Sequence, residues 1–472
     1  MEFQTRFIRH EDRRIARQAL SGKHGFRASV LMPGGQIEAS LNDFSSIGFA
    51  INIPHHSQHN LQVGGPVSLR VSPMIGYEYD LRGIVIDIRS DRQQGTKVSA
   101  VIEHEQSNPH GNFQPILLNA EQSLKGQLVH PFAYKQSSYF EVESLSLHGF
   151  VASNINSDFT LFDGMRVEFS LGTVHGLQKV FGTVSNIGLT EENLIRCFIA
   201  VDEFSPSAQR ELSQHCFHFA QKTPQEISLS GIEANHVQNF VQYRFVETQA
   251  EYEAVLKLRR KSYARLGLCD KDEPIARFAL EQDAYGRILI AFHNARVIGS
   301  ALLVFGERNA KPLELESVLP ATSFSVLPDY QQIMEITEVC IERHYQDTDV
   351  LQGVFENMYR EGLTAGKNYI LVGSPPELVE HYRYMGFKGL GLNFQNPRNE
   401  DVVMQVMMLD KNTGICGQGM GPLRWYKVWG YVSLHLYQRR VIEYSAWQKM
   451  RVKLNESLYK LVMRFRGKNK GN

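Results

Sequence analysis

Arg13-Arg-Ile-Ala-Arg17 and, after a run into a predicted strand, Asp43-Phe-Ser45-Ser-Ile-Gly48 form the stretch on which the reading of this chain turns. Each half alone is weak. At average composition a six-residue pattern with Asp, Ser and Gly fixed occurs by chance roughly 0.1 times in a chain of this length. An upstream pair of arginines four residues apart makes the combination far rarer. Two guanidiniums at that spacing can fork onto phosphate oxygens or guanine edges, where planar bidentate donors are favoured. Asp43 can accept from guanine N–H groups, Ser45 can bond a phosphate or ribose, and Gly48 permits a turn that residues with a Cβ resist. The plain alternative is a solvated basic N-terminus beside an Asx/Ser turn.

The two motifs in this order resemble the PilZ family of cyclic di-GMP receptors. The resemblance implies a small β-barrel that binds cyclic di-GMP through Arg13, Arg17, Asp43, Ser45 and Gly48, with Arg14 in support.

Around this stretch, 472 residues suggest about three domains, and 43% apolar residues suffice for ordinary cores. Lys+Arg and Asp+Glu each total 50, so net charge gives no argument for nucleic acid and no DNA partner is expected. Five scattered cysteines without Cys-x-x-Cys fit a reducing compartment. The N-terminus has no apolar signal region, and no apolar run approaches a membrane span. The expectation is a soluble, cytoplasmic protein.

Internal similarity extends the barrel reading. Leu41-Asn-Asp-Phe-Ser-Ser-Ile-Gly48 reappears as Val142-Glu-Ser-Leu-Ser-Leu-His-Gly149, Leu61-Gln-Val-Gly64 as Leu161-Phe-Asp-Gly164, and Gly83 as Gly182. Both copies hold short alternating segments punctuated by Gly, Asn and Pro, which predicts two small antiparallel barrels, over 1–115 and 116–222. The second has Ser144 where the first has Asp43, and no paired arginines precede it. Without forked cations a dianionic dinucleotide loses its main anchor. The second barrel is therefore expected to bind no nucleotide.

From Tyr243 the texture becomes that of an α/β domain. Residues 251–266 read as an amphipathic helix with Lys257, Arg259, Arg260 and Lys261 between its apolar positions. A hairpin follows over 288–305, then a strand over 333–341, a helix over 349–365, a strand over 369–373, a helix over 376–385 and a last strand over 402–409. This order, with His381-Tyr-Arg-Tyr-Met-Gly386-Phe387, resembles the GNAT acyltransferases over 240–430. Within them it is similar to the branch that makes N-acyl amino acids and acyl-homoserine lactones. The fold class is thus multidomain α+β: two PilZ-like barrels, then a GNAT-like acyltransferase domain.

The resemblance implies attack of a primary amine on an acyl thioester donor. Glu335 is the candidate base and Tyr382, four residues before Gly386, the candidate acid. An α-amino group has a pKa of about 7.7–8.0, so the base has modest work to do. The plain alternatives are a strand carboxylate paired with a cation and an amphipathic core tyrosine. Two departures stand out. The segment 343–349 lacks the glycines that cradle coenzyme A phosphates in ordinary members, which favours acyl carrier protein as donor. Glu338 stands where the lipid-signal branch has an Arg.

Three features are set aside: His55, His56 and His59 as a solvated loop, Gly417-x-Gly419-x-Gly421 as a turn, and Cys340 as a buried strand thiol. The last stretch is less plain. Ten Lys/Arg against Glu443 and Glu456 from 439 onward give net +8 on a neutral chain. Trp447, Met450, Leu454, Leu458 and Leu461 recur at helical spacing, predicting a basic amphipathic helix over 431–472. Its partner is an anionic membrane, an acidic carrier or the chain's own core. The sequence therefore reads as a cyclic di-GMP-responsive N-acyltransferase. The rival reading is a non-catalytic cyclic di-GMP effector that keeps the acyltransferase fold as a binding module.

Overall fold

The computed structural model describes residues 18–19, 27–33, 35–54, 60–72, 78–91, 95–103, 109–130, 137–156, 158–173, 176–307 and 311–468. The chain divides into two compact units, Met1–Ala234 and Asn235–Asn472.

The first unit holds two closed six-stranded antiparallel barrels. Around the first ring the strands run Gly35–Ser45, Arg27–Met32, Pro66–Ser72, Tyr79–Asp91, Gly95–Ile102 and Gly48–Ile53, which pairs back onto Gly35–Ser45. The second repeats this order with Ser137–Ser146, Lys125–Val129, Arg166–Thr173, Gly176–Leu189, Ile195–Val201 and Gly149–Ile155. The alternating apolar residues fill each interior; Phe140, Phe150 and Phe169 pack as a ring cluster in the second. Closure leaves no unpaired edge in either ring.

The motif glycine is needed for a reason the sequence did not suggest. Gly48 has no positive φ. A Cβ there would lie 2.6 Å from the carbonyl oxygen of Ala100 on the neighbouring strand, so close backbone approach excludes a side chain. The hairpin is closed by Ser45, whose Oγ donates to the Gly48 carbonyl at 3.2 Å, and the second barrel repeats the bond from Ser146 to Gly149 at 3.3 Å. The barrels touch through this hairpin: Leu161 N–H donates to Ser46 Oγ at 2.8 Å, and the Phe162 ring meets Phe44 and Tyr79 edge-on.

The second unit is built on one mixed seven-stranded sheet. Its order is Gln242–Phe245, Arg287–His293, Arg296–Phe305, Ile333–Ile341, Tyr369–Ser374, Asn399–Asp410 and Lys388–Asn396. The hairpin turns on Asn294 and Ala295, at φ of 50° and 56°, the left-handed pair that suits the twist of two strands. Helix Gln249–Arg265 starts at a Thr248/Glu251 capping box, and Pro376–Met385 ends at Gly386 with φ of 100°.

Among the described residues only one strand pair of this sheet is parallel. Ile333–Ile341 runs beside Tyr369–Ser374 for the residues from Ile333 to Ile336 and then parts from it. Beyond that point the register against Arg296–Phe305 shifts between Ser300 and Leu302, and Glu338 adopts φ of 51°. The sheet thus opens at its centre, beside a bulge. An apolar layer covers one face: Ile288, Ile290, Leu302, Val304, Ile333, Leu371 and Val406 pack under Leu313, Leu315, Leu319 and Leu327 of the excursion before the central strand.

Lys388–Asn396 was not expected as a strand. Its two glycines and alternating polar residues carry little β propensity, and edge pairing with Asn399–Asp410 decides it. No helix among the described residues is long and apolar enough to cross a membrane.

Candidate functional site

Arg13, Arg14 and Arg17 lie outside the described residues, as do His55, His56 and His59. Asp43, Ser45 and Gly48 are described. Asp43 sits on Gly35–Ser45 between Ala50 on one side and Ala19 on the other. The two residues that follow Arg17, Gln18 and Ala19, therefore add as a short strand directly beside Asp43. Ser45 is buried with its hydroxyl proton engaged by Gly48, leaving oxygen lone pairs as its spare capacity.

At the matching place in the second barrel the same register appears with different chemistry. Ile116–Leu117 adds beside Ser144 as Gln18–Ala19 adds beside Asp43. Just upstream of it, His110 is inserted. Its Nδ1 lies 2.8 Å from Ser146 Oγ and its Nε2 3.1 Å from Ser144 Oγ, so one imidazole bridges the counterparts of Ser45 and Asp43. Burial, with His148 nearby, holds this imidazole down to about 4, hence neutral. The sequence hid this histidine in a turn-rich stretch that reads as the end of the first copy.

In the second unit, Glu335 shares the face of the apolar layer and is 2% exposed. Its carboxylate accepts from the N–H groups of Glu314 at 2.6 Å and Leu315 at 3.1 Å, capping the helical turn Leu315–Val318. Burial, reinforced by the Glu314 carboxylate, pushes Glu335 up to about 8. Tyr382 is also buried, edge-on to Phe355 and Phe387, and burial raises its phenol. Its hydroxyl has no hydrogen-bond partner among the described residues. Phe355 belongs to Val350–Thr364, whose Gly362 abuts Met334. Because neighbours along a strand alternate faces, Tyr382 stands in the layer opposite Glu335. The two flank the opened centre of the sheet and are not in contact.

Sequence reasoning missed a buried electrostatic cluster. Arg259, read only as one of the cations between the apolar positions of an amphipathic helix, is fully buried. Its guanidinium forks onto Asp283 at 2.8 and 2.9 Å, donates to the Phe278 carbonyl at 3.0 Å and lies 3.3 Å from Glu338. Glu338 also accepts from the Tyr263 hydroxyl at 2.5 Å, and Arg398 stacks over Tyr263 and Phe278. Glu338, in place of the expected Arg, is thus neutralised by a cation from elsewhere, although its second oxygen has no hydrogen bond among the described residues. Its strained φ is held by these partners. Breaking a buried pair leaves an uncompensated charge at a cost of about 3–5 kcal/mol. Arg259→Met is expected to shift the urea transition of the C-terminal unit by that amount while leaving the barrels' transition in place; an unshifted transition would show that the pair holds nothing.

Residues 9–110 match the family model "PilZ domain", and residues 254–410 match "N-acyl amino acid synthase FeeM". The chain joins a PilZ domain to a FeeM-type N-acyltransferase domain. Among solved structures, FeeM, an N-acyl amino acid synthase from uncultured soil microbes, shares 14% identity over 42% of this chain and 96% of its own, with a TM-score of 0.31. MesI, a CoA-dependent acyl-homoserine lactone synthase, shares 15% over 43% and 97%, with a TM-score of 0.31. The acyl-homoserine lactone synthase LasI shares 12% over 36% and 88%, with a TM-score of 0.28. No curated protein sequence matches the chain.

The N-acyltransferase domain also carries a basic cavity of about 280 Å³. Lys261, Ser262 and Arg265 of its first helix line it with Ile341, Glu342, Arg343 and His344. It lies at the end of the central strand, at the start of the glycine-free segment 343–349. Side-chain cations stand there instead of a glycine loop. Cys340 nearby is buried, which pushes its thiol up to about 12 and leaves it inert as a nucleophile.

Proposed function

We propose that the chain is a cyclic di-GMP-responsive N-acyltransferase that moves a fatty acyl group from a carrier-bound thioester to a small primary amine such as an amino acid. The observation that carries it is the joining of a PilZ match and a FeeM match in one chain. Cyclic di-GMP binds the first barrel, over 1–115, through Arg13, Arg14, Arg17, Asp43, Ser45 and Gly48. The second, over 116–222, binds none, because no paired arginines precede it, Ser144 replaces the aspartate, and His110 already engages Ser144 and Ser146. Acyl transfer belongs to 240–430. The appended 431–472 is not the single helix the sequence predicts: it breaks after Tyr431–Gln438, where Arg440 takes a φ of 58°, and the basic helix is Ala446–Lys468.

The amine attacks the thioester carbonyl in the opening between the central strands. Glu335 accepts the amine proton from one face. Tyr382 gives its proton to the departing thiolate from the other, and an amide and a free thiol result. The carbonyl oxygen is stabilised by backbone N–H groups of 337–341 that the parallel neighbour leaves unpaired. Glu335 supports this role because its raised value matches an α-amino group, and Tyr382 because its hydroxyl is uncommitted. One observation favours the binding-module reading: both carboxylate oxygens of Glu335 already accept backbone N–H groups. Mass spectrometry of lipids from cells overproducing the protein tests the enzyme reading; a lipid profile unchanged from the vector control favours the module.

The donor phosphate sits among Lys261, Arg265 and Arg343. Docking of an acidic carrier through these cations weakens as salt rises. Turnover with the acylated carrier is expected to exceed that with acyl-coenzyme A at least tenfold, with KM rising in salt and in Arg265→Ala/Arg343→Ala. Equal turnover with both donors would count against a carrier.

A further inference from the structure

The C-terminal helix Ala446–Lys468 lies outside the residues matched to the acyltransferase family. Its apolar residues were open to three partners on sequence alone, and the structure removes one of them. The helix docks onto the second unit through polar and aromatic groups. Arg451 donates to the carbonyls of Cys416 and Gly417 at 3.1 and 2.8 Å, satisfying the end of the helix Lys411–Cys416. Asn455 donates to Cys416 at 3.1 Å, Gln448 to Asn412 at 2.9 Å, and Tyr459 stacks on Tyr426.

The apolar stripe faces elsewhere. Trp447, Met450, Leu454, Leu458 and Leu461 are between 37% and 64% exposed. At steps of three and four residues they share roughly 80° of the helix circumference and span about 21 Å. Lys449, Lys453 and Lys460 are exposed along one flank, and Arg464, Arg466 and Lys468 continue the helix. An exposed line of large apolar side chains beginning at a tryptophan, edged by lysines on a segment of net +8, has the make-up of a helix that lies in a bilayer interface. A soluble acidic partner would complement the lysines and leave the five apolar side chains without a counterpart.

We propose that this helix is an interfacial membrane-binding surface that docks the enzyme on anionic lipid. The stripe enters the headgroup boundary and the lysines face the phosphates. Tryptophan offers a specific probe, since Trp425 and Trp429 are buried and only Trp447 is exposed. The full chain is mixed with vesicles of phosphatidylglycerol and phosphatidylcholine, and separately with phosphatidylcholine alone. On the anionic vesicles the protein is expected to float with the lipid and its tryptophan emission to shift to the blue. Trp447→Phe should abolish the shift while keeping flotation. Leu454→Glu/Leu458→Glu alters exposed positions, so its melting curve stays as in wild type while vesicle binding falls at least about tenfold.

Several outcomes overturn the proposal: no flotation with anionic vesicles, equal flotation with neutral ones, or equal binding by the double variant. So does a concentration-dependent dimer that the double variant abolishes, which would assign the stripe to a second copy. Capture of an acidic carrier through the stripe, with no lipid binding, also overturns it. The assay needs neither nucleotide nor acyl substrate, so its result is independent of the catalytic reading.

Discussion

Arg13→Ala/Arg17→Ala is expected to abolish cyclic di-GMP binding in a calorimetric titration of the full chain. In the proposed binding mode each guanidinium would contribute a charge-assisted, bidentate contact to the ligand, worth about 1.5–3 kcal/mol. Losing both weakens binding by roughly 10²–10⁴-fold, beyond the range of a titration that resolves the wild type. Asp43→Ala should cost less, because the aspartate accepts from a neutral base edge. The second barrel supplies the internal control. Ser144→Ala and His110→Ala disturb the counterpart position without touching the ligand, so both should leave affinity and stoichiometry unchanged. Unchanged affinity in the double arginine variant would sink the receptor assignment.

The other large effect falls on acyl transfer. Tyr382→Phe keeps the ring against Phe355 and Phe387 and removes only a hydroxyl without a partner, so stability should hold. Loss of general acid–base assistance is expected to lower the single-turnover rate by ~10²–10⁴-fold. Glu335→Gln should lower the rate as much, but it also disturbs packing. Glutamine offers one acceptor to the two N–H groups of Glu314 and Leu315, and an unmet buried donor costs about 1–3 kcal/mol.

The pH profile separates these contributions. With the carboxyl held up to about 8, its basic form fills as pH rises, so the wild-type rate climbs towards pH 8 and levels above it. Stability runs the opposite way. The folded-state value lies above the 4.5 of an ordinary glutamate, so the contribution is fully present below about 4.5 and is lost as pH rises through about 8. Glu335→Gln should remove both dependences. Rates within a few-fold of wild type in both variants would defeat the mechanism and favour a binding module. Adding cyclic di-GMP to the same assay tests coupling, which requires the ligand to favour one arrangement of the domains.

Patterns that repeat along the chain were legible before any coordinates. The hairpin at Asn294-Ala295, the central strand Ile333–Ile341 and the helix Pro376–Met385 each follow from local periodicity and end signals. The duplicated barrel followed from glycine and serine positions that closure of the ring makes obligatory. What escaped notice depends on contacts distant in sequence. Arg259 has the neighbours of a surface arginine, and only Asp283 and Glu338, brought to it by the fold, make burial tolerable. Glu335 reads as a strand carboxylate; its engagement by the excursion at 314–315 has no sequence signature. The apolar stripe of the last helix is visible as a period, but a period gives a face without saying what lies against it. Here the polar face turned inward because Arg451 and Asn455 answer open carbonyls.

The shared hairpin at Asp43–Gly48 bears on how mutants of this protein should be read. Successive residues of a strand point to opposite sides, so Asp43 and Ser45 belong to one surface and Phe44 to the other. Phe44 meets Phe162, and Ser46 in the turn accepts from Leu161. The segment is in effect a text printed on both sides of one sheet of paper, with the proposed nucleotide ligand as one reader and the neighbouring barrel as the other. A genetic screen for signalling defects will collect lesions at 44 and 46 beside those at 43 and 45. The first pair will look like ligand mutants while acting through the partition between the barrels.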